Sequence, residues 1–214
     1  MIKYNITDTI ITDFIKSQYK MSKIADKIHK YTKHVETPKI LNVGTGNGKK
    51  IKMIKDLINC DIYGADIKVW AKYKENRKFD FPYKIITFNP YTIPYADNML
   101  DCITLILSLH HCEDIIETIN ECKRLLTKEG IILIIEHDIW IDTDHMIIDL
   151  QHRIYKHIFD EPEHTPGSYF NFFEWDIIFN KCGMEPIYGD RISDDISFNI
   201  RYDLQFIGIY RQKT

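Results

Sequence analysis

No apolar run in this sequence is long enough to cross a bilayer. The longest, Ile103 to Leu109 and Ile131 to Ile135, fall far short of the about 20 residues that a membrane helix needs. The opening decapeptide MIKYNITDTI lacks an apolar core and a small-residue cleavage site, so no secretory leader is read there. The five cysteines (Cys60, Cys102, Cys112, Cys122 and Cys182) are scattered, odd in number and never spaced CxxC. That excludes a disulfide framework and a zinc knuckle, and a reducing compartment is the simplest setting. The expectation is a soluble, cytoplasmic protein with no membrane partner. There is no internal repeat and no low-complexity linker, so residues 1–214 are expected to form one domain.

Hydrophobic residues make up 44% of the chain and charged residues 28%, the balance of an ordinary globular protein with one real core. The net charge is only −3, yet it is unevenly spread. Residues 1–84 carry 18 Lys/Arg against 9 Asp/Glu, and residues 85–214 carry 10 against 22. A basic first half suits a phosphate-bearing partner such as RNA; a solvated lysine-rich helix face is the plainer account.

Apolar residues at Ile11, Phe14, Ile15, Ile24 and Ile28, with lysines between them, predict one or two amphipathic helices from Thr7 to about Lys33, with Asp8 as N-cap. Thr37-Pro38 ends that pattern. Strands are then expected at Lys39–Val43, Asp61–Ala65, Tyr83–Thr87, Leu100–Leu107 and Ile131–Glu136. Helices fall at about Lys49–Ile58 and Ile115–Leu126, the latter stopped by Gly130. The alternation implies an α/β, doubly wound, mostly parallel sheet. Further on come a helix Asp144–Phe159, the loop EPEHTPGS (Glu161–Ser168), a short helix Glu174–Asn180, and two strands near Pro186–Gly189 and Leu204–Tyr210. Those two are expected to pair as an antiparallel hairpin at one sheet edge, bringing the strand count to seven.

The strongest chemical feature is ILNVGTGNG, Ile40 to Gly48: a strand running into three glycines and then a helix. Glycines let the backbone turn sharply and approach a ligand, and helix-start N–H groups favour a polar or anionic group. A phosphate loop is excluded because Gly-Lys comes too early and Lys50 stands in place of Ser/Thr. A dinucleotide fingerprint is excluded because Lys49 occupies the third glycine position. In IYGADI, Asp66 lies 22 positions after Gly44, where an acid closing the second strand can accept from both hydroxyls of a ribose.

Gly44-Thr45-Gly46-Asn47-Gly48 resembles motif I of class I methyltransferases. NPYTIPYADNMLDCITLILSLHH (Asn89 to His111) and CKRLLTKEGIILIIEHD (Cys122 to Asp138) resemble further motifs of the type 11 methyltransferases, with Pro94, Asp97, Asp101 and Leu109-His110-His111 in step. The resemblance covers about residues 37–138. It implies a Rossmann-like methyltransferase fold, S-adenosylmethionine (SAM) as cofactor, and a set of cofactor-binding positions. Asn42, Gly44, Thr45, Gly46 and Gly48 would lie by the methionine and ribose portions, and Asp66 would hold the ribose. Ile67, Asn89 and Pro90 would meet the adenine, and the backbone at Leu105-Ile106 would face the methionine moiety. Asn42 and Asn89 stand where acids are usual, so charge is lost while a hydrogen-bond acceptor is kept. The core would then be residues 37–138, with an N-terminal helical region at 1–36 and substrate-side helices plus the hairpin at 139–214.

His110 and His111 follow strand four, and Glu136-His137-Asp138 closes strand five, both at the strand ends where ligands bind in such folds. His110 or His137 is a candidate general base, with Asp138 as an orienting acid. On a helix, His145, Asp149 and His152 would share one face. Packing histidines are the plainer account, and no recognised metal-ligand signature is present, so no metal site is expected. The aromatics Tyr169, Phe170, Phe172, Phe173 and Trp175 fit either a substrate pocket or ordinary core. The expected activity is SAM-dependent methyl transfer, with a small-molecule acceptor favoured. RNA is the runner-up, and a non-catalytic subunit built on the same fold is the alternative from a different class.

Overall fold

The computed structural model describes residues 21–46, 48–67, 83–86, 92–159, 167–192 and 205–213. The first helix is seen over residues 21–32 (α1); Asp8, Asn89, Pro90, most of the loop at 161–168 and the stretch after Ile192 lie outside the described residues. Short apolar segments form the strands; β1, β4 and most of β5 are buried on both faces, as central parallel strands must be, whereas β6 is largely exposed. They are β1 (Lys39–Val43), β2 (Asp61–Ile67), β3 (Tyr83–Ile86), β4 (Leu100–Ile106), β5 (Leu126–His137), β6 (Met184–Ile192) and β7 (Gln205–Gln212). Among the described residues, the helices after α1 are α2 (Lys49–Leu57), α3 (Ile115–Leu125), α4 (Asp142–Phe159) and α5 (Phe172–Lys181), with a 3-10 turn at Leu109–His111.

The seven strands run in the order β3-β2-β1-β4-β5-β7-β6. The first five are parallel, and β7 pairs antiparallel with both β5 and β6. The expected α/β doubly wound sheet with its antiparallel edge pair is therefore present. The direction of winding reverses between β1 and β4, the place where such sheets open a crevice. Val43 sits in register with Ala65 on one side and Leu105 on the other, so three strands end at a common level.

Two apolar layers sandwich the sheet. On one face, Ile24 and Ile28 of α1 and Ile51 and Ile54 of α2 cover Ile40, Cys102, Leu133 and Ile209. On the other, Ile119 and Cys122 of α3 and Trp175 and Phe179 of α5 cover Leu41, Ile103, Ile132 and Tyr210. Phe179 and Tyr210 stack with ring centroids 3.8 Å apart. Each such fully buried side chain contributes roughly 1.5–3 kcal/mol of burial free energy.

Three boundaries differ from expectation for physical reasons. Gly130 does not stop α3, which ends at Leu125; it lies inside β5, where a Cβ would come within 3.0 Å of the Leu100 carbonyl oxygen. Glycine there lets β5 pass close to the irregular start of its pairing with β4. Helix α5 begins two residues before the expected Glu174, because Asn171 and Glu174 form a reciprocal capping box. Strand β6 runs through Pro186 by way of a register shift against β7, which is how an edge strand tolerates proline. Arg124 of α3 pins the preceding loop, pairing with Asp97 and Glu121 and donating to the carbonyls of Ile93 and Tyr95.

Candidate active site

The glycine turn after β1 is held down onto β2 rather than left loose. Gly44, Gly46 and Gly48 have φ values of 73°, 60° and 72°, the left-handed region that glycine enters without a Cβ penalty. The N–H groups of Gly44 and Thr45 both donate to the Ala65 carbonyl, at 2.9 and 3.1 Å. The Thr45 hydroxyl, buried, sits 3.0 Å from the same carbonyl and 3.1 Å from that of Asn42. It nests on Gly64, where a Cβ would stand 2.5 Å from Thr45 Oγ1. Thr45, expected beside a cofactor, thus faces the sheet and fixes the turn.

Gly46 and Asp66 meet directly. The Gly46 N–H donates to Asp66 Oδ2 at 2.9 Å, and Asp66 is only 6% exposed at the end of β2. Ile67, the last residue of β2, is next to it. The opposite wall comes from the end of β4, where Leu105 and Ile106 are buried. Beyond them the chain turns at Leu107, with φ of 53°, into Ser108. Ser108 Oγ donates to the Val43 carbonyl at 2.9 Å and so straps the two walls together. Lys50, in the first turn of α2, places its ammonium 3.0 Å from the Ile106 carbonyl. Neither Ser108 nor Lys50 stands out in the sequence as a site residue.

Asn42 is bonded within the sheet. Its side-chain amide donates to the carbonyl (3.1 Å) and hydroxyl (2.9 Å) of Thr104, and the residue is 1% exposed. The amide nitrogen clamps β1 to β4 inside the sheet, a bond that the acid usual at this position cannot donate.

A second group of polar residues lies past the ends of β4 and β5. Glu136, fully buried, accepts the N–H groups of Ser108 (3.1 Å) and Leu109 (2.7 Å) on one oxygen and meets Nδ1 of His110 with the other. Burial pushes the Glu136 carboxyl up to about 7, opposed by neighbouring His137 and by those backbone donors. The rings of His111, His137, His152 and Tyr169 lie 4.0, 5.1, 5.3 and 5.3 Å from that of His110. His152 Nδ1 in turn meets the Tyr169 hydroxyl, and burial raises the Tyr169 phenol. One ring nitrogen from each of His110, His111 and His152 lies within 4.8 Å of the others.

The expected helix face is thus split. His152 joins the cluster and the His145 ring approaches Tyr169 at 5.1 Å, whereas Asp149 pairs with Arg153 at 2.9 Å. Asp138 does not orient His137. Its carboxylate accepts Phe172 N–H at 3.1 Å and Arg191 Nε at 2.8 Å, tying β5 to α5 and β6. The acid at the cluster is Glu136; its signal was a lone carboxylate ending the apolar run IILIIE. The aromatics divide as well. Tyr169 lines the cluster, Phe170 packs on buried Trp175, and Phe172 and Phe173 meet Trp140 at 5.8 and 5.7 Å.

Among curated protein sequences none matches this chain. Many solved structures share its fold. A chain of the complex between the Haloferax volcanii Trm112 methyltransferase activator and a candidate methyltransferase superposes with a TM-score of 0.63 at 15% identity, over 94% of this chain and 97% of that one. A candidate sarcosine dimethylglycine methyltransferase from Galdieria sulphuraria gives 0.61 at 15% identity, over 91% and 86%. A SAM-dependent methyltransferase from Aquifex aeolicus gives 0.56 at 16%, over 90% and 97%. Residues 41–134, from the middle of β1 to within β5, match the family model described as a methyltransferase domain. With its glycine turn, its acid at the end of β2 and its strand order, the chain has the fold of these class I methyltransferases, and residues 41–134 are similar to the methyltransferase domain family.

Proposed function

We propose that the protein methylates a small-molecule acceptor, using SAM bound in the crevice between the glycine turn and the end of β4. The observation that carries this is the 2.9 Å approach of the Gly46 N–H to Asp66, which brings the turn and the ribose-type acid to one wall. The residues present fit the cofactor. Three left-handed glycines keep side chains out of the turn, and a carboxylate at the end of β2 can accept a diol. When bound, SAM supplies an electrophilic sulfonium methyl group. Asp66 would hold the ribose and the backbone at Leu105-Ile106 would flank the methionine portion. Ile67, Asn89 and Pro90 would meet the adenine, as the family resemblance implies.

The chain's other work is to align the acceptor, exclude water and take up a proton. His110 and His137 are the proton-accepting candidates, with Glu136 fixing the His110 ring through Nδ1. Their near-complete burial, with Tyr169 and His152 alongside, shields the cluster from water, which suits a small acceptor. A second reading, RNA as acceptor, is favoured by a separate cleft of about 330 Å³ lined by Lys23, Lys27, Lys30 and Arg191, which Asp26 and Asp190 partly neutralise. No helix among the described residues is long and apolar enough to cross a membrane.

Calorimetric titration with SAM and with S-adenosylhomocysteine tests the core of the proposal. Saturable heat with both supports it. No heat with either at millimolar ligand would leave a non-catalytic subunit on this fold. Salt-dependent RNA binding lost on replacing Lys23, Lys27 and Lys30 by Ala would move the acceptor to RNA.

A further inference from the structure

We propose that His110, His111 and His152 form a binding site for one divalent transition-metal ion of the zinc type, which anchors a hydroxyl-bearing acceptor. Its role in catalysis rests on the methyl-transfer reading; the binding of the ion does not. Three observations converge. One nitrogen from each ring already lies within 4.8 Å of the other two, so shifts of roughly 1 Å reach the about 3.4 Å spacing of ligands 2.1 Å from a tetrahedral ion. The three ring centroids stand 4.0, 5.3 and 5.1 Å apart.

The second observation is the outer partner of two of the three rings. Histidines that ligate metals give their other ring nitrogen to a carboxylate or similar acceptor, which sets the tautomer and the ring's direction. Glu136 meets Nδ1 of His110 in this way and is itself held by two backbone N–H groups, so Nε2 is the nitrogen His110 offers an ion. The Tyr169 hydroxyl meets Nδ1 of His152 in the same manner.

The third is origin and chemistry. His110 and His111 come from the turn after β4, and His152 comes from α4, more than 40 residues on. Three neutral imidazoles suit zinc, cobalt or nickel and give magnesium or calcium too few oxygen ligands. Three protein ligands leave a fourth position open, the pattern of catalytic rather than structural zinc. An alcohol or phenol oxygen bound there becomes a stronger acid. The ring of His137 flanks the trio, its centroid 5.1 Å from that of His110 and 5.6 Å from that of His152. His110 is then a ligand rather than a base, and the acceptor class is narrowed to hydroxyl compounds.

The test uses the full chain stripped of ions by chelator dialysis. Zn²⁺ is titrated by calorimetry and Co²⁺ is followed by visible absorption. One equivalent of zinc and the absorption bands of tetrahedral cobalt are expected. His111→Ala and His152→Ala should each lose at least tenfold in affinity, and Glu136→Gln 10–100-fold, while His145→Ala binds as wild type. Circular dichroism and SAM affinity, measured on every variant, show that the fold survives. Absence of cobalt bands, or undiminished binding in both His111→Ala and His152→Ala, would overturn the site. Zinc binding without SAM binding would instead remove the methyl-transfer reading and leave the ion in place.

Discussion

Ser108 stands where a side chain on Gly44 would have to go: a Cβ there would lie 2.3 Å from Ser108 Cβ and 2.8 Å from its Oγ. The glycine therefore serves the joint between β1 and β4 as well as any ligand. Gly44→Ala combines a left-handed φ of 73° with overpacking and should cost about 2–4 kcal/mol, read from the denaturant midpoint. In a Ser108→Gly background the same change should cost about half as much, because only the backbone strain remains. Equal costs in both backgrounds would mean that the joint adjusts freely.

Asp66→Ala should weaken SAM binding by about 1–3 kcal/mol, the range for losing a charged hydrogen-bond partner. The variant also removes the acceptor for the Gly46 N–H, so the turn loosens at the same time. Calorimetry at fixed temperature provides the comparison. Wild-type affinity in this variant would place the ribose elsewhere.

Asp138→Asn separates structure from chemistry. The carboxylate is fully buried and bonded to Arg191 and to the Phe172 N–H, away from His137. Arg191 is half exposed and can turn to water, so a loss of about 1–2 kcal/mol is expected, a drop of about 2–8 °C in Tm. Once an acceptor is known, kcat should stay within about twofold of wild type on that mechanism. A hundredfold fall in kcat with unchanged Tm would restore Asp138 to the catalytic group.

The thiols should be silent in the folded protein. Cys102 and Cys122 are fully buried and their thiols are raised well above the ordinary range; burial pushes Cys112 up to about 12. A raised thiol pKa means less thiolate, and the thiolate is the form that reacts. Mass spectrometry after iodoacetamide treatment should find these three unmodified in buffer and all five cysteines modified in guanidinium. Labelling of Cys122 in buffer would reveal local opening of α3.

Much of the fold could be read from local pattern, because β1, β2, β4 and β5 are short apolar runs whose period and punctuation are written in neighbouring residues. The glycine turn and the acid beside it were readable for the same reason: Gly44 to Gly48 and Asp66 signal through backbone geometry and spacing. What could not be read depends on partners distant in the chain. Asn42 looks like a motif position until Thr104 takes its amide. Asp138 looks like a neighbour of His137 until Arg191, from β6, claims it. His111 and His152 meet only because α4 folds back across the ends of β4 and β5, a juxtaposition that no linear spacing records. Arg124 and Asp97, quoted as family landmarks, prove to be a loop clamp.

The placement of β7 has a consequence for how the molecule is made. Residues 205–212 slot between two strands that leave the ribosome earlier, and among the described residues β6 pairs with the sheet only through β7. Until that segment is synthesised, the outer edge of β5, with its run Ile131 to Ile135, has unpaired backbone groups open to any passing strand. The nascent chain thus carries an adhesive flank while residues 138–204 are made, and the arrival of β7 seals it.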